Sequence, residues 1–386
     1  SGVISFYDEN KDGKDMAGSI FGKHFTIQTF GESHGEALGV VVDGVPAGLS
    51  LCDEDIQIYL DRRKPGSSQF ATKRAESDSV SILSGIFEGK TTGTPIAMLV
   101  KNTSQRSGDY SEIASYYRPG HADYTFDRKF GFRDYRGGGR SSGRETIGRV
   151  AGGAVALKIL KELGIEVCAY TKSIGPISIQ YDHFQKELIT QTQTGMPDAD
   201  ADRKASDYLS ECMKESDSAG GVVECYVKNV PAGIGEPVFD KLDARLAQAI
   251  MSIGAVKAFE IGDGFTCAHR KGSENNDSFT IVDQNVTKKT NHAGGILGGI
   301  SDGDPIVLRA HFKPTPSIFQ TQQTVNKKQE EIDINIKGRH DPIIVPRAVV
   351  VVEAMTALTV LDLMMDNLSS RMDYLKKIYQ PGHKED

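Results

Sequence analysis

The chain has 386 residues, 38% hydrophobic and 25% charged, which is enough apolar content for a large folded core. Its net charge of −7 argues against general nucleic-acid binding, because that function needs a basic surface. The five cysteines are scattered and form no C-x-x-C pair, which indicates reduced thiols rather than a disulfide frame or a zinc site.

The two ends of the chain are polar. Residues 1–15 lack the apolar segment of a signal peptide and are predicted to be an extension or an expression remnant. Residues 377–386 are predicted to be a polar tail, which leaves 16–376 as one domain. No apolar run approaches the roughly 18 residues of a membrane-spanning helix. We therefore expect a cytoplasmic protein without a membrane segment.

The first half of the domain mixes strand and helix signals. Its predicted elements are a strand at Leu38–Val42, a turn at Val45-Pro46-Ala47-Gly48, a helix from Asp53, two strand-like runs within 80–100 and a long helix ending at Gly164. Ser142 and Glu145 fit a capping box at the start of that long helix.

The second half repeats these signals in the same order. The strand-like run 222–230 ends in Val230-Pro231-Ala232-Gly233, a repeat of the first turn, and a helix is expected from Asp240. Gly303-Asp304-Pro305-Ile306 repeats Gly93-Thr94-Pro95-Ile96. Two ordered matches predict an internal duplication, and so an α+β unit of two related halves.

Two further segments differ in the strength of their signals. Residues 185–218 are polar and give the weakest fold signal in the chain. A final helix is predicted at about Arg347–Met372. Apolar residues cover nearly all its faces, so it should lie in the core or in a subunit interface.

Gly31-Glu32-Ser33-His34-Gly35 is the first dense motif. It matches the G-x-S-x-G nucleophile elbow of serine hydrolases, with Ser33 as the nucleophile. That elbow needs a helix directly after the serine, whereas a strand-like run follows here, which disfavours the hydrolase. A tight turn whose side chains only bond to backbone is the structural alternative.

Arg118-Pro119-Gly120-His121-Ala122-Asp123 places a histidine on a Pro-Gly turn. The nearby Arg118 should favour the neutral imidazole, a useful state for proton exchange. A loop histidine paired with Asp123 is the structural alternative.

Residues 134–145 form a glycine-rich loop that leads into a helix. Such a loop presents backbone N–H groups and a positive dipole end to an anion, and Arg136, Arg140 and Arg144 add forked donors. From 118 to 149 there are eight basic and four acidic residues, which suits a small anionic ligand. A P-loop is rejected because Arg144-Glu145 replaces its Lys-Ser/Thr, and no dinucleotide motif follows a strand.

Three later segments are each a weak signal of function when taken alone. Gly294–Gly299 is a second glycine cluster, Lys313–Ser317 is a rigid turn with a cation, and 337–342 joins cations, His340 and Asp341. Spaced metal ligands are missing from the sequence, so we expect no protein-bound metal.

Together, Phe30–Gly35, Arg118–Asp123, Arg133–Ser142, Lys313–Thr315 and Gly338–Pro342 resemble the chorismate synthase family, in the family's order. The resemblance implies a β-α-β sandwich, commonly assembled as a homotetramer. It also implies a lyase of the shikimate pathway that makes chorismate from 5-enolpyruvylshikimate 3-phosphate and requires reduced FMN. Some members reduce their own flavin with NADPH, and no sequence feature places this chain among them or outside them.

The resemblance also implies roles for individual residues. His34 and His121 match the histidines that handle protons, and Asp341 matches the aspartate near flavin N5. The implied substrate-binding residues are Ser33, Arg63, Gln69, Arg118, Ser142, Arg144 and Arg339. The implied FMN-binding residues are Arg140, Ser141, Ser142, Gly254, Ala255, Gly298, Lys313, Pro314, Thr315, Pro316, Ser317 and Arg339.

Two positions depart from the family pattern. Gln69 stands where relatives carry an arginine, which puts one anion contact in doubt, and Gly254 stands where many have asparagine. A binding module without catalysis is the remaining alternative function, and alanine at His34 and His121 would leave its binding intact.

Overall fold

The computed structural model describes residues 18–64, 70, 78–102, 112–336 and 341–380. The strands of these ranges are Ile20–Phe21 (β1), Thr26–Phe30 (β2), Ala37–Asp43 (β3), Val80–Ile82 (β4), Ile86–Phe87 (β5), Lys90–Thr91 (β6), Ile96–Lys101 (β7), Glu166–Ile174 (β8), Ile177–Ser178 (β9), Gly221–Lys228 (β10), Val256–Ile261 (β11), Phe279–Val282 (β12), Asn285–Lys288 (β13), Ile296–Leu297 (β14), Ile300–Ser301 (β15), Ile306–Phe312 (β16), Thr321–Val325 (β17) and Glu331–Asn335 (β18). The helices are Asp53–Arg63 (α1), Asp123–Phe130 (α2), Thr146–Glu162 (α3), Leu188–Gln191 (α4), Ala199–Lys214 (α5), Leu242–Met251 (α6), Gly272–Asn275 (α7), Val345–Asp366 (α8) and Met372–Tyr379 (α9).

Two antiparallel five-stranded sheets enclose a layer of helices. Their strand orders are β1-β2-β3-β7-β4 and β11-β16-β10-β8-β9. Helix α3 packs on β2 and β3 of the first sheet, α8 packs on β8 and β10 of the second, and α3 and α8 pack on each other. The chain is therefore an α+β protein with the predicted β-α-β sandwich.

The two sheets share one topology, which confirms the two related halves. Strands β2-β3-β7-β4 in the first sheet correspond to β8-β10-β16-β11 in the second, and each set is followed by a long helix of the middle layer. The strands alternate buried and less buried residues where one face meets the helices, as in β16.

A buried hydroxyl binds the repeated V-P-A-G turn in both halves. Thr91 Oγ1 donates to the carbonyl of Pro46 at 2.6 Å and accepts from the N–H of Leu49 at 3.0 Å. Ser301 Oγ donates to the carbonyl of Pro231 at 2.6 Å and accepts from the N–H of Ile234 at 2.9 Å. The duplication therefore extends to individual hydrogen bonds.

The two ends of each sheet carry different turns and loops. We call the end that carries the V-P-A-G turns the turn end. The opposite end, where β2 joins β3 and where β7 and β16 finish, is called the site end. The loop from β7 to α3 and the loop from β16 to α8 are equivalent in the two halves, and both leave from the site end.

Helix α8 corrects two predictions from the sequence. It ends at Asp366 and not near Met372; a 3-10 turn follows and α9 then runs to Tyr379, into the expected polar tail. It is also long and apolar enough to cross a membrane by length and composition, since an 18-residue window within Val345–Ser369 has a mean hydropathy of 2.0. The core buries 89% of that apolar window, as expected for a central helix of a folded domain.

Two other predictions need revision. The segment 185–218 contains α5, capped by Asp198 and amphipathic, with Ala201, Ala205 and Leu209 on its buried face. The capping box is wrong, because Ser142 caps a 3-10 turn through the N–H of Arg144 and α3 begins only at Thr146. The side chain of Glu145 instead pairs with Arg149.

Candidate active site

The His34 turn connects β2 and β3 at the site end. His34 Nδ1 lies 3.1 Å from Ser33 Oγ, and Ser33 is only 6% exposed. Strand β3 follows the turn directly, so the helix that a nucleophile elbow needs is missing at this position. The geometry argues against the serine hydrolase.

The glycine-rich loop packs against the His34 ring. Gly137, Gly138 and Gly139 have φ of +63°, +86° and +52°, a left-handed backbone that other residues rarely adopt. A Cβ on Gly137 would lie 2.3 Å from His34 Cε1. The structure therefore brings two separate sequence motifs into contact, and only glycine fits at the point where they meet.

Side-chain hydrogen bonds fix the 3-10 turn Gly139–Ser141 of this loop. Arg140 donates to the carbonyl of Gly31 at 3.3 Å and to Thr29 Oγ1 at 2.8 Å, so its side chain lies along the end of β2. Ser141 Oγ donates to the carbonyl of Gly138 at 2.7 Å. The loop and the His34 turn form one rigid surface.

Arg63 and Arg144 are held by one buried carboxylate. Asp78 Oδ2 lies 2.6 Å from Arg63 Nη2, and Asp78 Oδ1 lies 3.0 Å from Arg144 Nη2. Burial, followed by the charge of Arg347, lowers the pKa of Arg63 to about 10. The pairing fixes both guanidinium planes, which suits recognition of an anion with defined geometry.

Asn102 connects Arg144 to the His34 turn. Its Nδ2 donates to the carbonyls of Glu32 at 3.2 Å and Gly35 at 2.8 Å, and its Oδ1 accepts from Arg144 Nε at 2.8 Å. Neither Asn102 nor Asp78 was predicted from the sequence. A single asparagine after a strand, and an aspartate in a polar stretch, carry no motif that would single them out.

His121 has a defined tautomer. Nδ1 lies 3.0 Å from the carbonyl of Pro119, which can only accept, so Nδ1 carries the proton. Nε2 is then free to accept from the hydroxyl of Ser317 at 2.9 Å. Burial, followed by the charge of Arg118, lowers the pKa of His121 to about 4, which confirms the predicted neutral imidazole.

Asp123 pairs with Arg118 and not with His121. Arg118 Nε and Nη2 donate to the two oxygens of the carboxylate, each at 2.8 Å. The alternative of a loop histidine satisfied by Asp123 is therefore wrong. Arg118 is nearly buried, with 9% of its side chain exposed, and Asp123 fixes the orientation of its guanidinium.

Lys313–Ser317 meets the His121 turn from the other half of the chain. Lys313 Nζ donates to the carbonyl of Gly120 at 2.7 Å, and Pro316 lies over the same glycine. Burial, followed by the charge of Lys257, lowers the pKa of Lys313. The backbone N–H of Lys313 donates to the carbonyl of Ala255 at 3.0 Å, which places the Gly254–Ala255 turn alongside.

Asp341 joins the same end of the molecule. Arg347 Nη1 donates to Asp341 Oδ2 at 2.5 Å, and Arg347 Nε donates to the carbonyl of Arg63 at 3.0 Å. The next residue, Pro342, accepts from the N–H of Ala219 at 2.9 Å. Ser218 in turn donates to the carbonyl of Thr315 at 2.7 Å, so the two groups of site residues are continuous.

One predicted residue, Gly298, is not brought to this site, and two others cannot be placed. Gly298 lies in the β14–β15 hairpin at the turn end, separated from Lys313 by the seven residues of β16, a distance of about 20 Å. Gln69 and Arg339 lie outside the residues that the structure describes. In the part of the chain that it does describe, no group of three or more His, Cys, Asp or Glu side chains could hold a metal ion.

Comparisons with known proteins agree with this geometry. The family described as chorismate synthase matches residues 25–365. The chorismate synthase of Lachnoclostridium phytofermentans is 66% identical over 366 residues, which cover 95% of this chain and 100% of that protein. The chorismate synthase of Methanosarcina mazei is 56% identical over 353 residues, covering 91% and 97% respectively.

A solved structure of the same family matches the chain at lower sequence identity. A crystal structure of chorismate synthase has a TM-score of 0.73 and 32% identity, and the match covers 93% of this chain and 97% of that one. The family's enzymes are lyases. The chain belongs to the chorismate synthase family.

Proposed function

We propose that this chain eliminates phosphate from 5-enolpyruvylshikimate 3-phosphate in the anti-1,4 sense to give chorismate, and that it requires reduced FMN. The C–O bond to phosphate and the C6–H bond of the ring break, and phosphate and a proton leave. One contact in the structure supports the proposal in addition to family membership. His121 meets Ser317 at 2.9 Å, which joins the equivalent loops of both halves around a neutral imidazole flanked by cations.

The described residues fit a phosphate-bearing flavin. Thr315 Oγ1 is buried and has no hydrogen-bond partner in the described part of the chain, so a bound group could satisfy it. A Cβ on Gly254 would meet nothing within 4 Å, so there is open space beside the Ala255 turn. Lys313 and Ser317 add a cation and a hydroxyl next to that space. When bound there, reduced FMN would supply an electron-rich ring that assists loss of the phosphate, without net oxidation or reduction.

His34, His121 and Asp341 handle protons in this proposal. The neutral His121 gains a proton more readily when an anion binds beside it, because negative charge favours the imidazolium form. It can then pass that proton to the leaving phosphate. His34 is held against Gly137 and Ser33, where its ring keeps one orientation for proton exchange. Asp341, held by Arg347, accepts a proton at the flavin side of the site.

The arginines bind the three anionic groups of the substrate. Arg63, Arg118 and Arg144 are each paired with a buried aspartate, which fixes the guanidinium plane before substrate arrives. A guanidinium has five N–H donors, so it can bind a carboxylate or phosphate while keeping its aspartate partner. Ser33, Ser142, Gln69 and Arg339 complete the proposed anion contacts. Arg140, Ser141, Pro314 and Pro316 complete the proposed flavin contacts.

Turnover under anaerobic conditions tests this function. We expect dithionite-reduced FMN to support chorismate formation, read by its absorbance, and oxidised FMN without reductant to support none. Steady turnover on oxidised flavin in the dark would contradict the requirement for reduced FMN. Labelling of Ser33 by a fluorophosphonate probe, without chorismate formation, would instead support the hydrolase.

We further propose a homotetramer in the cytoplasm, in the shikimate pathway, with the flavin kept reduced by an NADPH-dependent activity of this chain or of another protein. An oligomer would also give Gly298 a role, because a second copy could bring its turn end to the site of the first. Light scattering that shows a stable monomer at micromolar concentration would refute this assembly.

Mixed assemblies test the role of Gly298. We expect Gly298→Glu and His121→Ala each to lose at least about 99% of the activity alone and to recover part of it when co-expressed, since some sites would then draw both intact residues from different copies. A mixture as inactive as its parents would remove Gly298 from the site.

A further inference from the structure

We propose that Asn102 is a positioning residue that fixes the His34 turn relative to the Arg144 guanidinium. The inference rests on the proposed function, because it gives Asn102 a role through His34 and Arg144. Asn102 directly follows β7 at the site end, and three segments of the chain meet at its side chain.

The hydrogen-bond partners determine the orientation of the Asn102 amide. Backbone carbonyls can only accept and a guanidinium can only donate, so Nδ2 faces Glu32 and Gly35 while Oδ1 faces Arg144. The flipped amide would lose all three bonds. The backbone N–H of Asn102 also donates to the carbonyl of Glu36 at 3.0 Å, which anchors the residue to the same turn.

This arrangement does more than close the turn between β2 and β3. Arg144 is held on its other side by Asp78, which also holds the buried Arg63. A continuous set of bonds therefore runs from Arg63 through Asp78, Arg144 and Asn102 to the turn that carries His34. The short asparagine side chain has two rotatable bonds and little freedom, so its amide constrains the separation of His34 from the Arg144 guanidinium.

Removal of the amide should affect the reaction more than the fold. A misplacement of about 1 Å can cost roughly 100-fold in rate, so we expect Asn102→Ala to lower kcat by about 10- to 100-fold. Asn102→Asp has nearly the same shape and keeps the acceptor for Arg144, but it loses both donors to the turn. Asn102→Asp should therefore lower kcat as well, and it replaces Asn102→Ala in the test if that variant is insoluble.

Asn291 provides a matched control at the turn end. Its Nδ2 donates to the carbonyl of Pro305 at 2.8 Å and its Oδ1 accepts from the N–H of Gly295 at 2.7 Å, so it also joins two segments. Asn291→Ala should lower the Tm by a similar amount to Asn102→Ala and leave kcat at saturating FMN within about threefold of wild type. Its segments lie at the opposite end of the sheets from His34 in the same copy, and the role proposed for Gly298 of a second copy is in FMN binding.

A double-mutant cycle with His34→Ala separates positioning from general destabilisation. If Asn102 acts through His34, adding Asn102→Ala to His34→Ala should lower kcat by less than about threefold further. Full additivity, or a wild-type kcat in Asn102→Ala, would overturn the inference while leaving the proposed function intact.

A second readout does not depend on turnover. In protein with ¹³C-labelled histidine, the His34 Cε1–H resonance is identified by its loss in His34→Ala. It should shift in Asn102→Asp and not in Asn291→Ala. An unmoved resonance would overturn the inference even in an active enzyme, whereas a shifted resonance in a protein without chorismate formation would contradict only the proposed function.

Discussion

The two halves of the molecule are alike at the turn end and different at the site end. At the turn end, Thr91 and Ser301 make the same pair of hydrogen bonds to the same V-P-A-G turn. At the site end, the equivalent loops after β7 and β16 differ in sequence. The first carries the glycine-rich and arginine-rich segment, and the second carries the Lys313–Ser317 turn and Asp341.

The comparison shows how a duplicated scaffold can hold one asymmetric site. The two divergent loops contact each other directly: Tyr117 N–H donates to the carbonyl of Val325 at 3.2 Å, and Lys327 N–H donates to that of Ser115 at 2.8 Å. Their meeting places His121 from one half against the hydroxyl of Ser317 and beside the cation of Lys313 from the other. The repeated strands hold the loops in place, and the candidate site residues lie mostly on the loops.

The largest effects should come from the two histidines. His34→Ala and His121→Ala should each lower the rate by roughly 10²- to 10⁴-fold, the usual span for lost proton transfer. Both variants should stay folded, because the histidines lie on turns outside the apolar core. Wild-type rate at saturating substrate in either variant would remove that residue from the chemistry.

The second largest effect should come from disturbing the contact between the glycine-rich loop and the His34 turn. Gly137→Ala would force a Cβ to 2.3 Å from His34 Cε1, and a displaced base could lower kcat/KM by about 100-fold. Gly131→Ala is the control: its φ is +80°, but nothing lies within 4 Å of the added Cβ. Both variants carry the left-handed strain of about 1–2 kcal/mol, so equal kcat/KM values would show that the His34 contact has no effect on the reaction.

Substitutions at the turn end should lower the free energy of unfolding and leave the reaction rate unchanged. Thr91→Val and Ser301→Ala each leave a buried or partly buried N–H and a carbonyl unpaired, which costs about 1–3 kcal/mol in the free energy of unfolding. Denaturant unfolding should give similar losses for the two variants with unchanged kcat. A raised KM for FMN in Ser301→Ala alone would extend the site to the turn end of a second copy, through the neighbouring Gly298.

The smallest expected effect is a pH dependence of stability. The unfolded chain protonates His121 near its ordinary pKa of about 6.5, whereas the folded chain does so only near 4, so unfolding takes up a proton between these values. Stability should therefore fall as the pH drops from 6.5 to 4. His121→Gln should flatten this fall in Tm, and His269→Gln, at an exposed position, should not. Parallel curves for all three proteins would contradict the buried neutral imidazole.

Much of the scaffold was predictable because it follows local rules. The repeated turns at 45–48 and 230–233 identified the duplication, and apolar density placed α8 in the core. The amphipathic helix α5 was missed because a polar surrounding sequence hides four buried positions. Asn102 and Asp78 were missed because their roles depend on partners distant in sequence, such as Arg144.

Helix α8 has a consequence for how the protein is made. Synthesis proceeds from the N-terminus, so the residues of both sheets and of α3 are made before those of α8. Until then the inner face of β8 and β10, and the side of α3 that α8 covers, remain exposed to solvent. A nascent chain stopped before residue 345 would therefore display a broad apolar surface of the kind that chaperones bind. In the described part of the chain, α8 is the main helix that packs on β8 and β10, so we expect that half of the core to form only once α8 is made.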